Sequence, residues 1–315
     1  MSFVDLHSEL SLFLEAQACD GTLQALQRAV LDKALASHRS AGHFPVSDMP
    51  GALLSAFSAS PSDQLGLGGA CVLFYAFADV TDDAQDKDLQ PDPWLRWGWE
   101  QAVNTGFSLL FLCLRWIRER CPSHAAGMLA SLFSEAGLSM THGQHLDLMG
   151  QSVDSPRLDR YLKTIELKSG ASFGAYARAA SMIGARDEDD CKAFYQFGKA
   201  LGMMFQMMND THELWRNELS SDFRNGRLTL PLVLALEQGR DEGLMELLEG
   251  DRTLERQHDL VQCLEAKGIR ANATMRIELL RREAMQLASR LGVRDEPYLS
   301  FLLGMPAFPI DRVIA

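Results

Sequence analysis

Asp82, Asp83 and Asp86 form a DDxxD pattern at the end of a long apolar run. On a helix, Asp82 and Asp86 are four residues apart and share a face, with Asp83 beside them. Three anions this close repel one another unless a cation joins them. Mg²⁺, a hard ion held by a few carboxylate oxygens together with water and substrate phosphate, is the natural occupant. The same pattern also describes a solvated acidic helix end. A second stretch, Phe205-Gln-Met-Met-Asn-Asp-Thr-His-Glu213, repeats the logic. Asn209 and Glu213 lie four residues apart, Asp210 adjoins them, and all three are oxygen donors following an apolar run. Two such helix ends facing each other would hold metal ions between them, with a diphosphate bridging the ions.

A diphosphate also wants hydrogen-bond donors. Lys168 lies in Leu167-Lys-Ser-Gly170, and Arg224 and Arg227 lie in the loop that ends in Thr229-Leu-Pro231. Each arginine also reads as an ordinary surface charge. Lys168 differs, because its surroundings are apolar and small, and an unpaired buried ammonium is costly. Gln144 and Asp147 either reach metal or diphosphate, or mark a helix break with local hydrogen bonds. His145 and His212 flank the acidic stretches and read as bystanders. The run Met203-Met-Phe-Gln-Met-Met208 reads as core, or as the lining of an adaptable apolar pocket. Phe74, Tyr75 and Phe77 face the same choice between core and a surface that stabilises a cation.

The elements that must position these residues are helical. Apolar residues recur at i, i+3 and i+4, and period-two alternation is almost absent. Helices are expected over 21–36, 51–59, 65–86, 95–118, 123–137, 139–151, 157–184 and 188–217, with loops at 38–50 and 218–226. The segment 65–86 is apolar on most faces and should be buried. Trp94, Trp97, Trp99 and Trp116 fall in or beside the helix at 95–118. Shorter, more charged helices follow over 240–291, then a mostly apolar tail. No repeat or linker divides the chain, so the expectation is one all-α bundle over residues 1–315.

Composition excludes some functions. A net charge of −12 over 315 residues argues against a nucleic-acid surface, which needs a basic face. It leaves room for a phosphate ligand, since metal ions invert the local sign. The six cysteines have neither CxxC spacing nor a histidine at zinc spacing, and read as reduced thiols of a cytoplasmic protein. No signal peptide and no uninterrupted membrane-spanning run is visible.

The order of these markers resembles the trans-prenyltransferase superfamily, also called polyprenyl synthetases or isoprenyl diphosphate synthases. They are Asp82-Asp-Ala-Gln-Asp86, Gly143-Gln-His-Leu-Asp-Leu148, Lys168-Ser169 (Lys-Thr in the family), Phe205-Gln-Met-Met-Asn-Asp210 and Gly226-Arg-Leu-Thr-Leu-Pro231 (Gly-Lys-x-Thr-x-Pro in the family). The likeness runs from about 65 to 235. It implies a single-domain helical bundle of the isoprenoid synthase type and a homodimer. It also implies about three Mg²⁺ ions, with Mn²⁺ as a substitute, between Asp82, Asp83 and Asp86 and Asn209, Asp210 and Glu213. Lys168, Gln206, Arg224 and Arg227 would bind the diphosphate, Phe74, Phe77, Ala78 and Phe205 would line the prenyl pocket, and Gln144 and Asp147 would stand behind them. The chemistry implied is ionisation of an allylic prenyl diphosphate of geranyl to geranylgeranyl length.

Departures from the family pattern matter as much. Chain-elongating members bind isopentenyl diphosphate through Gly-Gly-Lys-Arg-x-Arg-Pro near the N-terminus and an Arg-Arg pair after the first acidic motif. Here the first region offers His38, Arg39 and His43, and Lys87-Asp-Leu-Gln-Pro-Asp-Pro93 follows Asp86, with Arg96 further on. A second diphosphate without its cations is expensive to bind. The second motif carries Asn209 for its first Asp and Glu213 for its last. The expectation is an intact ionising half and an altered or missing isopentenyl diphosphate half, as in the similar ComQ-type peptide prenyltransferases and isoprenyl-synthase-like terpene cyclases. The acceptor stays open between a peptide, a small molecule, isopentenyl diphosphate and a double bond of the substrate itself. A non-catalytic prenyl-binding subunit is a further reading.

Overall fold

The computed structural model describes residues 3–17, 20–36, 42–86 and 98–307, and within them the chain is all-α, without a strand. Phe3–Glu15 forms α1, Gly21–Ala34 α2, Pro45–Ala56 α3 and Pro61–Asp86 α4. Trp99–Arg120 is α5 and Ser123–Leu148 is α6. Leu158–Ile165 (α7) runs through a π-helical turn, Glu166–Gly170, into Ala171–Ile183 (α8). Glu188–Leu214 is α9 and the single turn Ser221–Arg224 is α10. Leu230–Gln238, Glu242–Glu249, Leu254–Ala266, Ile269–Arg290 and Pro297–Gly304 complete the order as α11 to α15.

Helix α4 is the axis. Its buried face runs from Gly66 through Phe74 and Ala76 to Val80 and Ala84, and it packs chiefly on α5 and α3. Trp116 of α5 donates its indole N–H to the Gly66 carbonyl at 2.7 Å, so a buried polar group is satisfied inside this contact. Helix α8 packs on α9, and α9 on α14. Buried side chains from Leu6 to Ala307 form one connected core. Helix α4 is also the one described helix long and apolar enough to cross a membrane, but 61% of that window is already buried against the rest of the chain.

Several boundaries differ from expectation. The loop expected over 38–50 yields to helix from Pro45, which occupies the first turn where a missing N–H costs nothing. The Asp48 carboxylate accepts the Phe44 N–H at 2.6 Å and closes that end. Pro50 is carried inside α3 because Val46, Met49, Leu53 and Leu54 are buried around it. The helices expected at 123–137 and 139–151 are one, since Gly137 packs beside Phe74 and does not break the turn. The polar loop at 218–226 contains the turn α10, capped by Ser220. His38, Arg39, Lys87, Trp94, Arg96 and Trp97 lie outside the described residues. The five described cysteines are free thiols.

Candidate active site

Four elements bring their ends together. Asp82 and Asp86 close α4, Gln144 and Asp147 close α6, Lys168 sits in the π turn, and Gln206 and Asp210 lie near the end of α9. The π turn inserts an extra residue into what would otherwise be one helix from Leu158 to Ile183, and so re-aims Lys168. Gly143 lets α6 approach this turn, because a Cβ there would stand 2.9 Å from side-chain atoms of Leu167 and Lys168. On the other side Gly202 of α9 lies under the Ser169 carbonyl, with no room for a Cβ.

The side chains form a ring of alternating charge. The Lys168 ammonium donates to Asp82 at 3.1 Å and to Asp147 at 2.7 Å. Arg227 donates to Asp147 at 2.9 Å, pairs with Asp86, and holds Asp222 at 3.9 Å from its Nε. On the α9 side Ser169 donates to Gln206 at 2.6 Å, and Gln206 donates to Asp210 at 2.7 Å. The buried Tyr161 hydroxyl donates to the other oxygen of Asp210 at 2.6 Å.

Carboxylates outnumber cations, and their proton affinities reflect it. Burial, then the charge of Asp82, pushes Asp86 up to about 7 against the pull of Arg227 and Lys168. Burial raises Asp210 to about 6, although hydrogen bonds from Tyr161 and Gln206 work the other way. Burial, then Asp210 and Glu213, lifts Asp222 well above the ordinary carboxylate range. For Lys168, burial opposes the charged form, but Asp82 and Asp147 outweigh it and hold the proton on.

Not every expected residue joins the ring. Asp83 turns away and pairs with Lys33 of α2, which also lies 3.2 Å from Asp79. Glu213 accepts from the Ser220 hydroxyl and from the N–H and hydroxyl of Ser221 at 2.9–3.0 Å, so in this arrangement it anchors the 218–226 segment. Asn209 is exposed on α9. Arg224 ends α10, half-buried. Asp147 is a full member of the ring, and no helix break occurs at Gln144. Both polar atoms of the Gln144 amide are buried without a partner. Asp222, Tyr161 and the Ser220–Ser221 pair were not anticipated. For Asp222 the available signal was its position five residues before Arg227, which returns it to the arginine through the α10 turn.

Beneath the ring lies an aromatic layer. Phe74 is fully buried, while Phe77, Ala78 and Phe205 are half-buried. Phe74 meets Phe77 at 5.9 Å and Tyr176 at 6.4 Å between ring centroids, and Phe173 links Tyr176 to Phe205 at 5.7 and 5.5 Å. Asp82, Asp86, Asp147, Asp210 and Asp222 are hard oxygen donors of the type Mg²⁺ selects. The donor chemistry therefore fits the ion. Among the described residues, no three acidic, His or Cys groups are already gathered around one point. Lys168 and Arg227 stand between the carboxylates instead.

The polyprenyl synthetase family profile matches residues 52–266. A short chain isoprenyl diphosphate synthase of Methanothermobacter thermautotrophicus is 26% identical over 219 residues, which is 64% of this chain and 67% of that protein. A nonaprenyl diphosphate synthase of Mycobacterium tuberculosis is 28% identical over 180 residues, 55% of this chain and 52% of that protein. The sequence matches thus span from about half to two thirds of these relatives' own length. In three dimensions the likeness extends further. The heptaprenyl diphosphate synthase of Staphylococcus aureus superposes with a TM-score of 0.77 at 19% identity, covering 97% of this chain and 96% of that one. With the fold shared end to end and the family profile matching more than half of its residues, the chain belongs to the polyprenyl synthetase family.

Proposed function

We propose that this protein ionises an allylic prenyl diphosphate and passes the prenyl cation to an acceptor. The observation that carries the reading is the Lys168–Arg227 pair, held by Asp82, Asp86 and Asp147 above the aromatic layer. The two cations donate to the oxygens of the departing diphosphate, where negative charge develops as the C–O bond breaks. Mg²⁺ bound by Asp82, Asp86 and Asp210, with Asp147 and Asp222 alongside, would neutralise further charge on the leaving group. Gln206 is held by Ser169 and aimed at Asp210, and so fixes the α9 side of the site. Phe74, Phe77, Phe173 and Phe205 keep water from the allylic cation and offer it ring faces.

On the acceptor side we propose that the isopentenyl diphosphate site of chain-elongating relatives is altered. Lys33 of α2, a further described cation beside the first motif, is engaged by Asp79 and Asp83, and His43 packs edge-on against Phe301 at 5.0 Å. Chain elongation is the second reading, favoured because the relatives named above are diphosphate synthases. A product assay separates the two. The protein is incubated with Mg²⁺ and dimethylallyl, geranyl, farnesyl or geranylgeranyl diphosphate, with and without isopentenyl diphosphate, and products are read by mass spectrometry. A longer diphosphate that forms only with isopentenyl diphosphate establishes elongation and sinks the altered-site reading. Release of diphosphate from the allylic substrate alone supports it. Failure to bind or consume any of the four overturns both.

We also propose a homodimer through α5 and α6. Phe107 and Phe111 of α5 and Met128 and Leu138 of α6 are half or more exposed. No charged residue occurs on α5 from Gln101 to Leu114, and Glu135 is the only one on α6 before Asp147. Ser131, Ser134 and Thr141 turn their hydroxyls onto their own helix backbone. Two chains that each carry −12 meet most cheaply on such a face. Two helices of this length, about 1.5 Å per residue and roughly 10 Å wide, cover on the order of 700 Å² per copy, near the standard interface size.

A further inference from the structure

Gln257 of α13 lies thirty residues past Arg227 and outside every motif of the site. Its side chain is fully buried, which an amide tolerates when its hydrogen bonds are made. They are made to the backbone between α9 and α10. The Gln257 Oε1 accepts the Ser220 N–H at 2.8 Å. Its Nε2 donates to the carbonyls of Leu214 and Glu218, both at 3.0 Å, and reaches that of Arg216 at 3.4 Å. One side chain thus serves backbone groups from the last residue of α9 to the residue that caps α10. Without it, three carbonyls and one N–H would lose this partner, which is costly where water cannot replace it.

From Ser220 a relay of backbone bonds carries the position on. The Arg224 N–H donates to the Ser220 carbonyl, that of Asn225 to Ser221 and that of Arg227 to Asp222, each at 2.9 Å. The Ser220 hydroxyl accepts the Phe223 N–H at 3.2 Å. Phe223 is itself buried, with the Arg252 guanidinium 4.8 Å from its ring centroid. The stretch 220–227 is therefore one piece, and at its end Arg227 pairs with Asp86 and Asp147 and lies beside Asp222. Two side chains grip the start of that piece. Glu213 ties it to α9 through Ser220 and Ser221, and Gln257 ties it to α13.

We propose that Gln257 is a positioning residue of the active site. Through Ser220 it sets where Asp222 and Arg227 stand against Asp86 and Asp147, and it touches no ligand itself. Its bearing on turnover rests on the ionisation reading above; its hold on the loop does not.

The test uses Gln257→Met, which keeps the length of the side chain and removes its hydrogen bonds. Gln257→Asn, whose amide is one methylene short, keeps the test open if the methionine variant misfolds. Leu264→Ala is the control, since it removes buried contacts of the same helix and none of these hydrogen bonds. Three readouts are taken on the full chain well below each Tm. They are backbone hydrogen exchange over 214–227, calorimetric titration with sodium diphosphate and MgCl₂, and kcat and KM for diphosphate release from geranyl diphosphate. In Gln257→Met the amides of 220–227 should exchange about tenfold faster or more, the scale of one lost hydrogen bond. The kcat should fall on the order of tenfold to a hundredfold with a smaller change in KM, because Arg227 acts on charge that develops as the bond breaks. Inorganic diphosphate, which carries the charge of the departed group, should bind several-fold more weakly. Leu264→Ala should lower Tm and leave kcat and the exchange of 220–227 near wild type. The proposal is overturned if exchange over 220–227 is unchanged in both glutamine variants. It is overturned equally if exchange quickens while kcat and diphosphate binding hold, or if the control loses as much kcat. A wild type that binds diphosphate but releases none from an allylic substrate would refute the proposed activity alone. Faster exchange and weaker diphosphate binding in Gln257→Met would then still support the positioning role.

Discussion

Gly202→Ala tests whether the site depends on the close seating of α9 under the π turn. An added Cβ at Gly202 would stand 2.2 Å from the Ser169 carbonyl oxygen, 2.8 Å from its carbon and 2.9 Å from the Phe173 Cβ. A carbon and a carbonyl oxygen normally approach to about 3.3 Å, so α9 and the π turn must part by roughly 1 Å. The obstacle is backbone, so no rotamer relieves it. The Ser169–Gln206 hydrogen bond, now 2.6 Å, would be stretched to a distance that no longer counts as one. Lys168, one residue earlier, would move relative to Asp210 and its partners.

Overpacking of this kind costs about 1–3 kcal/mol. The better helix propensity of alanine offsets up to about 1 kcal/mol of it. The expected fall in Tm is therefore only a few degrees. Activity should suffer far more, because a misplacement of about 1 Å in an active site costs on the order of a hundredfold. The assay is diphosphate release for kcat/KM, with Tm by calorimetry on the same preparations. Gly51→Ala on α3 is the control, since nothing lies within 4 Å of its added Cβ. It should leave turnover unchanged and stability equal or slightly higher. If Gly202→Ala matches the control in both readouts, the coupling of α9 packing to the site is refuted.

Asp82→Asn should abolish turnover while the protein stays folded; a variant with near wild-type diphosphate release would remove Asp82 from the chemistry. Lys168→Met leaves Asp82 without its cation and Asp147 with Arg227 alone. It should lower Tm and weaken diphosphate binding, and unchanged values of both would show the ammonium to be idle. The pH dependence follows from Asp86, which is raised to about 7 by burial and by Asp82. Its folded pKa exceeds the unfolded value of about 3.9, so the folded state holds the proton more tightly, and this group's stabilisation fades as pH rises from about 4 to about 7. In EDTA, Tm should fall across that window more steeply for wild type than for Asp86→Asn, and equal slopes would contradict the assignment. Phe111→Glu with Leu138→Glu should convert a dimer to a monomer in sedimentation; an unchanged mass would move the interface elsewhere.

Much of the fold was legible because helical periodicity and apolar length are local. The run through Phe74 and Val80 had to be a buried helix, and α4 is one. Boundaries failed where a tertiary contact overrode a local breaker. Pro50 reads as a stop, yet burial of Met49, Leu53 and Leu54 keeps the helix going. Gly137 reads as a gap, yet it lets Phe74 lie against α6. Of the residues that spacing singled out, Asp82, Asp86, Lys168, Asp210 and Arg227 come together in the structure, but spacing could not say which way a carboxylate turns. Asp83 and Glu213 fit the pattern as well as their neighbours do. Their directions are set by Lys33 and by Ser220 and Ser221, groups distant from them in sequence or outside any motif. Asp222 was hidden because its role depends on a four-residue turn.

The ring also constrains how ligands can enter. Lys168 and Arg227 are the donors proposed for a diphosphate, and each is already bonded to carboxylates proposed for metal ions. A diphosphate arriving alone would have to pull both cations from Asp82, Asp86 and Asp147, leaving buried carboxylates unpaired, which is costly. An ion arriving alone meets carboxylates that Lys168 and Arg227 already engage. Arriving together they would exchange partners: the cations would turn to phosphate oxygens and the carboxylates to the ions, so that no charge would be stranded. Binding of the two should therefore be mutually reinforcing, and by linkage the gain in diphosphate affinity with Mg²⁺ must equal the gain in Mg²⁺ affinity with diphosphate. Arg227→Gln would relax the coupling from one side, because a neutral amide neither competes for Asp86 nor strands it. Titrations of wild type and Arg227→Gln with Mg²⁺, diphosphate and both would measure it. Equal coupling in the two proteins would mean that the ion pairs of the ring do not control entry.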